Sequence, residues 1–179
     1  KAIKDAPSFE LFLARDEANA FALEQLEDSL GGKRKWELPE DKLITYLDKE
    51  TSFARSAIGD FESAVRLSDS VDMERTARLK RFTFGCSKYG DSHYRWEQKE
   101  QDFQWLRENL NGKELGRVIC LYVDTWDLHG NDWNVGEDAV SLIDEAIQLG
   151  YEEPRAYYLR ATGHMVAGNY GLVLRDTDK

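Results

Sequence analysis

Pro154-Arg155-Ala156-Tyr157-Tyr158-Leu159-Arg160-Ala161-Thr162-Gly163-His164-Met165-Val166-Ala167-Gly168-Asn169-Tyr170 is the stretch that decides the fold. Glu153 followed by Pro154 marks a helix start, because proline at the first helical position gives up an N–H that would have no partner anyway. Gly168 supplies the left-handed residue that closes the helix, and Asn169 can cap the next one. Tyr170 is then placed to pack into the corner between them. The same punctuation recurs upstream. Gly59-Asp60, Gly90-Asp91, Gly130-Asn131 and Gly168-Asn169 lie 31, 40 and 38 residues apart. An aromatic follows each within four residues: Phe61, Tyr94, Trp133 and Tyr170. Such intervals are near the period of helical repeat arrays.

The final segment resembles the first helix and turn of a tetratricopeptide repeat (TPR). Ala156 and Tyr157 stand where such repeats begin their inner helix, Ala161 takes the small position of close helix approach, and Gly168, Asn169 and Tyr170 match the turn. Ala139–Tyr151, with Ala139 and Ala146 as its small residues, resembles the outer helix of the preceding repeat. The resemblance is good over residues 137–179 and patchy over 41–136; Val173 departs from the family's small residue, and the first 40 residues match nothing in it. It implies an all-α fold of antiparallel helix pairs, stacked as a short TPR-like right-handed superhelix with an extra N-terminal helix. The whole of 1–179 is then one repeat domain, with a helix and loop over 1–38 and about four divergent pairs over 39–179. These pairs are 40–57 with 60–69, 72–88 with 92–110, 114–129 with 137–149, and 154–167 with 170–179. A repeat array needs a closing helix over its last apolar face, so continuation beyond Lys179 is expected.

The leading helix is read over 8–30. Phe9, Leu11, Phe12, Leu13 and Ala14 open an apolar series that runs through Ala18, Phe21, Ala22, Leu26 and Leu30 to the Gly31-Gly32 stop. Lys33-Arg34-Lys35 follows in a loop. Asn134 three residues before Glu137 suggests a capping box.

Composition narrows the function. The 179 residues are 41% hydrophobic and 32% charged, with a net charge of −10. That balance disfavours nucleic acid, which needs a basic face. No apolar run reaches the roughly 20 residues of a membrane helix. Residues 1–90 carry 15 Lys/Arg against 17 Asp/Glu, and residues 91–179 carry 9 against 17. No Lys or Arg lies between Arg117 and Arg155, where Asp124, Asp127, Asp132, Glu137, Asp138, Asp144, Glu145, Glu152 and Glu153 accumulate. Cys86 and Cys120 form no disulfide framework and read as buried thiols, favouring a cytoplasmic setting. Chemistry-bearing patterns are absent: no phosphate loop, no GxSxG, no HExxH. Asp127, His129 and Asp132 cluster at one turn, as polar residues do in turns generally; His164 reads as a packing residue. Trp96 and Trp105 read as core with Phe103 and Leu106, and Trp36 and Trp133 as exposed anchors.

The expectation is a non-enzymatic scaffold, with no cofactor and no metal, that binds a protein or peptide. The resemblance places the partner on inner helices. It assigns Lys80, Phe84 and Lys88, then Arg117, Asp124 and Asp127, then Arg155, Tyr158, Thr162 and Met165. Phe84, Asp124 and Thr162 stand where the family's carboxylate-clamping Asn residues fall, so the chaperone-tail mode is disfavoured. Two alternatives remain: an acidic binder neutralising a basic protein, as toxin-immunity proteins do, and an enzyme with an unrecognised polar pocket.

Overall fold

The structure is a computed structural model that describes residues 8–87, 94–126, 128 and 133–177. The fold is all-helical. The described residues form α1 (Phe9–Asp28), α2 (Glu40–Leu67), α3 (Val71–Gly85), α4 (Trp96–Asn109), α5 (Gly112–Asp124), α6 (Trp133–Gln148), α7 (Pro154–Val166) and α8 (Tyr170–Thr177). They contain no strand, and no helix long and apolar enough to cross a membrane. The chain divides into two compact units, Lys1–Lys99 and Glu100–Lys179, with the boundary inside α4.

In the first unit α1 packs on α2 and α2 on α3. The Ser8 hydroxyl caps α1 by accepting from Leu11 N–H at 3.2 Å, and Ser70 caps α3 by accepting from Met73 N–H at 3.3 Å. These caps satisfy amide donors that a helix start leaves without intrahelical partners. Gly59-Asp60 is not a turn. α2 runs through it without a break, because Ala54, Ala57, Ile58, Phe61 and Ala64 keep one buried face in register across it. Burying that face outweighs the roughly 1 kcal/mol that a mid-helix glycine costs relative to alanine. Asp60, 5% exposed, points to α1 instead of capping a helix. Asn19 donates to its carboxylate at 3.3 Å, and Arg15 forms an ion pair with it at 3.2 Å. Burial raises the Asp60 carboxyl above its ordinary range, against the pull of Arg15. The leading helix, unmatched in the repeat pattern, is therefore the packing partner of α2. The α2–α3 connection is Ser68-Asp69-Ser70, which contains no glycine.

The second unit is a run of hairpins. α5 packs on α6, α6 on α7 and α7 on α8, and α5 also touches α7. Phe103 of α4 stacks on Tyr122 of α5, with ring centroids 3.9 Å apart, and the Tyr122 hydroxyl donates to Glu100. Glycines set the closest approaches. A Cβ on Gly136 would lie 2.7 Å from Ala167 N and 2.8 Å from Gly163 O; one on Gly163 would lie 2.9 Å from Val140 Cγ2. The α6–α7 crossing thus centres on Gly136 and Gly163; Ala161, the expected small position, is buried two residues earlier.

The Gly168-Asn169 turn is present, with Gly168 at φ 73° and α8 starting at Tyr170. Tyr170 itself is exposed and does not fill the corner. Glu153 precedes α7, with Pro154 in its first turn, as expected. α6 starts at Trp133 rather than after Asn134, so Asn134 lies inside the helix and not at the cap position expected of it. Gly90-Asp91 and Gly130-Asn131 lie outside the described residues. Arg160 closes the end of the unit. Its guanidinium forks onto Asp176 of α8 at 2.8 and 2.6 Å and donates to Asp144 of α6 at 2.6 Å. The hydrogen bonds to Asp176, and after them the one to Asp144, hold Arg160 above the ordinary guanidinium value against the opposing effect of burial.

Candidate binding surface

Four of the expected contact residues share one stripe. Arg155, Tyr158, Thr162 and Met165 step by three, four and three residues along α7, which puts their side chains on a single helix face. The buried residues Ala156, Leu159 and Gly163 anchor α7 in the unit. Tyr158 is 55% exposed and Met165 48%, large apolar side chains left in solvent beside a packed helix. At one end of the stripe, Arg155 donates to Asp124 at the C-terminal end of α5. The Arg155 guanidinium also lies 4.9 Å from the Tyr158 ring centroid, a cation–π contact. Asp124, Arg155 and Tyr158 therefore hold one another in place, and ordering them costs a ligand less than ordering three free side chains. Thr162 donates its hydroxyl to the Tyr158 carbonyl at 2.9 Å. Arg117 is exposed on α5.

The other expected residues are placed differently. In the first unit Lys80 forms an ion pair with Glu17 of α1, and that hydrogen bond lowers the Glu17 carboxyl below its ordinary range. Phe84 is half-buried and packs on Phe61, centroids 6.0 Å apart. Both have internal partners. Lys88 and Asp127 lie outside the described residues, as do His93, His129 and Asp132.

Four of the nine acidic residues in the acid-rich stretch pair internally. Asp124 meets Arg155, Asp144 meets Arg160, Glu145 meets Arg107 at 2.7 Å, and Glu153 meets Lys113 at 2.8 Å. The Glu153 hydrogen bond raises Lys113 above the ordinary lysine value.

Each unit, taken by itself, has a hollow with polar lining. One, of about 500 Å³ in the first unit, is lined by Lys33, Arg34, Lys35, Trp36, Tyr46 and Glu50 among others. Trp36 is exposed there, as expected, with the Arg34 guanidinium 5.3 Å from its ring. Lys35 pairs with Glu50 at 3.3 Å. The other, of about 300 Å³, lies at the α6–α7 crossing, lined by Glu137, Ser141, Asp144, His164 and Asn169 among others. His164 is half-buried, and its Nδ1 is enclosed without a hydrogen-bond partner. No group of His, Cys, Asp and Glu among the described residues could hold a metal ion. Trp96, expected in the core, is exposed at the first position of α4. Cys120 is buried, and burial pushes its thiol up to about 12; Cys86 is half-buried.

Comparison with family models, with curated proteins and with solved structures returned no match.

Proposed function

We propose that this chain is a TPR-like protein-interaction module whose second unit binds a polypeptide along the exposed face of α7 and the adjoining end of α5. The observation that carries this reading is the Arg155–Tyr158–Thr162–Met165 stripe with its Asp124 anchor. Tyr, Met and Arg are the side chains enriched at interface centres. Here an ion pair and a cation–π contact organise the polar end, while Tyr158 and Met165 offer apolar area. The stripe is open, which suits a segment laid along it more than a small molecule enclosed by it. The two exposed apolar side chains sit seven residues apart, about 10 Å along the axis, a span that an extended segment of a few residues covers.

Internal pairing of four acidic residues in the 117–155 region leaves less free charge for neutralising a basic protein. Steering by exposed charge would also be screened by salt. The polypeptide reading expects apolar contact to persist at high salt.

The test is affinity capture with the wild-type chain and with a Tyr158→Ala/Met165→Ala variant. These positions are exposed, so the variant keeps its helical signal. A partner identified with the wild type is expected to be lost with the variant. Retention of every partner overturns the surface assignment.

A further inference from the structure

Helix α1 carries a second apolar stripe that its own unit does not bury. Phe12, Leu13, Leu23 and Leu26 lie on its packed side. On the opposite side, Leu11, Ala14, Ala18 and Phe21 are all exposed, Leu11 by 47% and Phe21 by 60%. Single exposed apolar residues are ordinary; four in one line are not. Their steps of three, four and three residues reproduce the a and d spacing of a heptad seam, with Leu11 and Ala18 at a and Ala14 and Phe21 at d. The two alanines let another helix approach closely between the larger ends. Glu10, Glu17 and Glu24 recur every seventh residue at the flanking g position, and Arg15, Ala22 and Ser29 occupy e.

The flanks decide the occupant. Two antiparallel copies of α1 would set g against g and oppose glutamate with glutamate. Two parallel copies would set g against e, where only Glu10 could meet Arg15, and Arg15 already holds Asp60. Like charges along a seam work against pairing. Pairing with a second copy of this chain is therefore disfavoured. We infer that the Leu11–Phe21 stripe is a docking seam for one amphipathic helix of a partner protein, apolar along its contact face and lysine- or arginine-rich beside it. Glu17 already meets Lys80, so Glu10 and Glu24 carry the recognition of charge. This surface lies in the first unit and does not depend on the α7 assignment.

The full chain is titrated by fluorescence anisotropy with a labelled three-heptad peptide (about 21 residues) bearing Leu at a and d and Lys at e and g. A twin peptide carries Glu at e and g. The lysine peptide is expected to bind and the glutamate peptide not. Ala18→Glu/Phe21→Glu is expected to weaken binding at least about tenfold, and Glu10→Lys/Glu24→Lys about threefold to tenfold. Glu108→Lys/Glu137→Lys, exposed acids of the second unit, is expected to leave binding within about twofold. If the first variant loses helical signal, Phe21→Ser and the charge-reversal pair make the same measurement without a charge in the seam. Equal binding of both peptides overturns the inference. So does equal loss from the Glu108/Glu137 pair, which would mean general acidity. A wild-type dimer that Phe21→Glu dissociates in sedimentation would assign the seam to a second copy instead.

Discussion

The same substitution at two glycines should move stability in opposite directions. Gly59 lies inside α2, is exposed, and an added Cβ would meet nothing within 4 Å. Gly59→Ala therefore gains helix propensity with no steric cost, about 0.5 to 1 kcal/mol of stabilisation. Gly136 is equally helical and starts with the same gain. Its Cβ, however, would lie 2.7 Å from Ala167 N and 2.8 Å from Gly163 O. Those are backbone atoms of the α7 segment, so they can retreat only if the two helices part. Overpacking of that kind costs about 1 to 3 kcal/mol, and the contact is backbone rather than a flexible side chain, which favours the upper half. The balance is a net loss of about 1 to 2 kcal/mol for Gly136→Ala. Urea unfolding followed by circular dichroism, with the two units resolved by Trp fluorescence where their transitions separate, measures both. A Gly136→Ala protein as stable as wild type would refute the close α6–α7 crossing. A Gly59→Ala protein destabilised by more than about 0.5 kcal/mol would refute the continuous α2.

Asp176→Ala should destabilise the second unit by about 2 kcal/mol, because it strips two charge-assisted bonds from Arg160 at a carboxylate only 6% exposed. Asp144→Ala should cost less than about 1 kcal/mol, since that carboxylate is 46% exposed; equal losses in urea melts would contradict the end clasp. Cys86 should react with a maleimide in the native protein while Cys120 reacts only after unfolding, its thiol being buried and pushed up to about 12; mass spectrometry of the labelled peptides reads the order. Asp60 binds its proton more tightly folded than unfolded, so its contribution to stability should fall as pH rises from 3.8 through the raised folded value. Asp60→Asn should remove that part of the slope of unfolding free energy against pH, and an unchanged slope would contradict the burial of the carboxyl.

Local signals were legible in the sequence and tertiary partnerships were not. The Gly168-Asn169 turn and the Glu153-Pro154 start are made by the residues that announce them, and both stand where expected. Gly59-Asp60 carries the same dipeptide signal. There the buried face of α2 continues in register, and Asp60 finds Arg15 and Asn19 across the unit. No local pattern reveals a distant partner. The same limit applies to Lys80 and Phe84, whose partners Glu17 and Phe61 lie on other helices. The α7 residues came from the repeat resemblance, and they share a stripe because the positions it assigns fall at helical spacing along one face. The α1 stripe was hidden because apolar residues occur on both sides of that helix, so its series read as one broad face rather than two. Tyr170 and Trp96, expected to pack, are exposed at the first positions of α8 and α4, and the Trp96 ring meets the Lys99 ammonium, 5.7 Å from its centroid.

The most direct measurement places a photo-crosslinking phenylalanine analogue at Tyr158, in the middle of the α7 stripe, and at Arg66, an exposed position on α2, as the control. The proposed function expects a discrete polypeptide adduct from position 158, absent from position 66 and lost when Asp124→Lys and Met165→Glu are added. No adduct at 158, or an adduct pattern identical at both positions, would contradict polypeptide binding along α7.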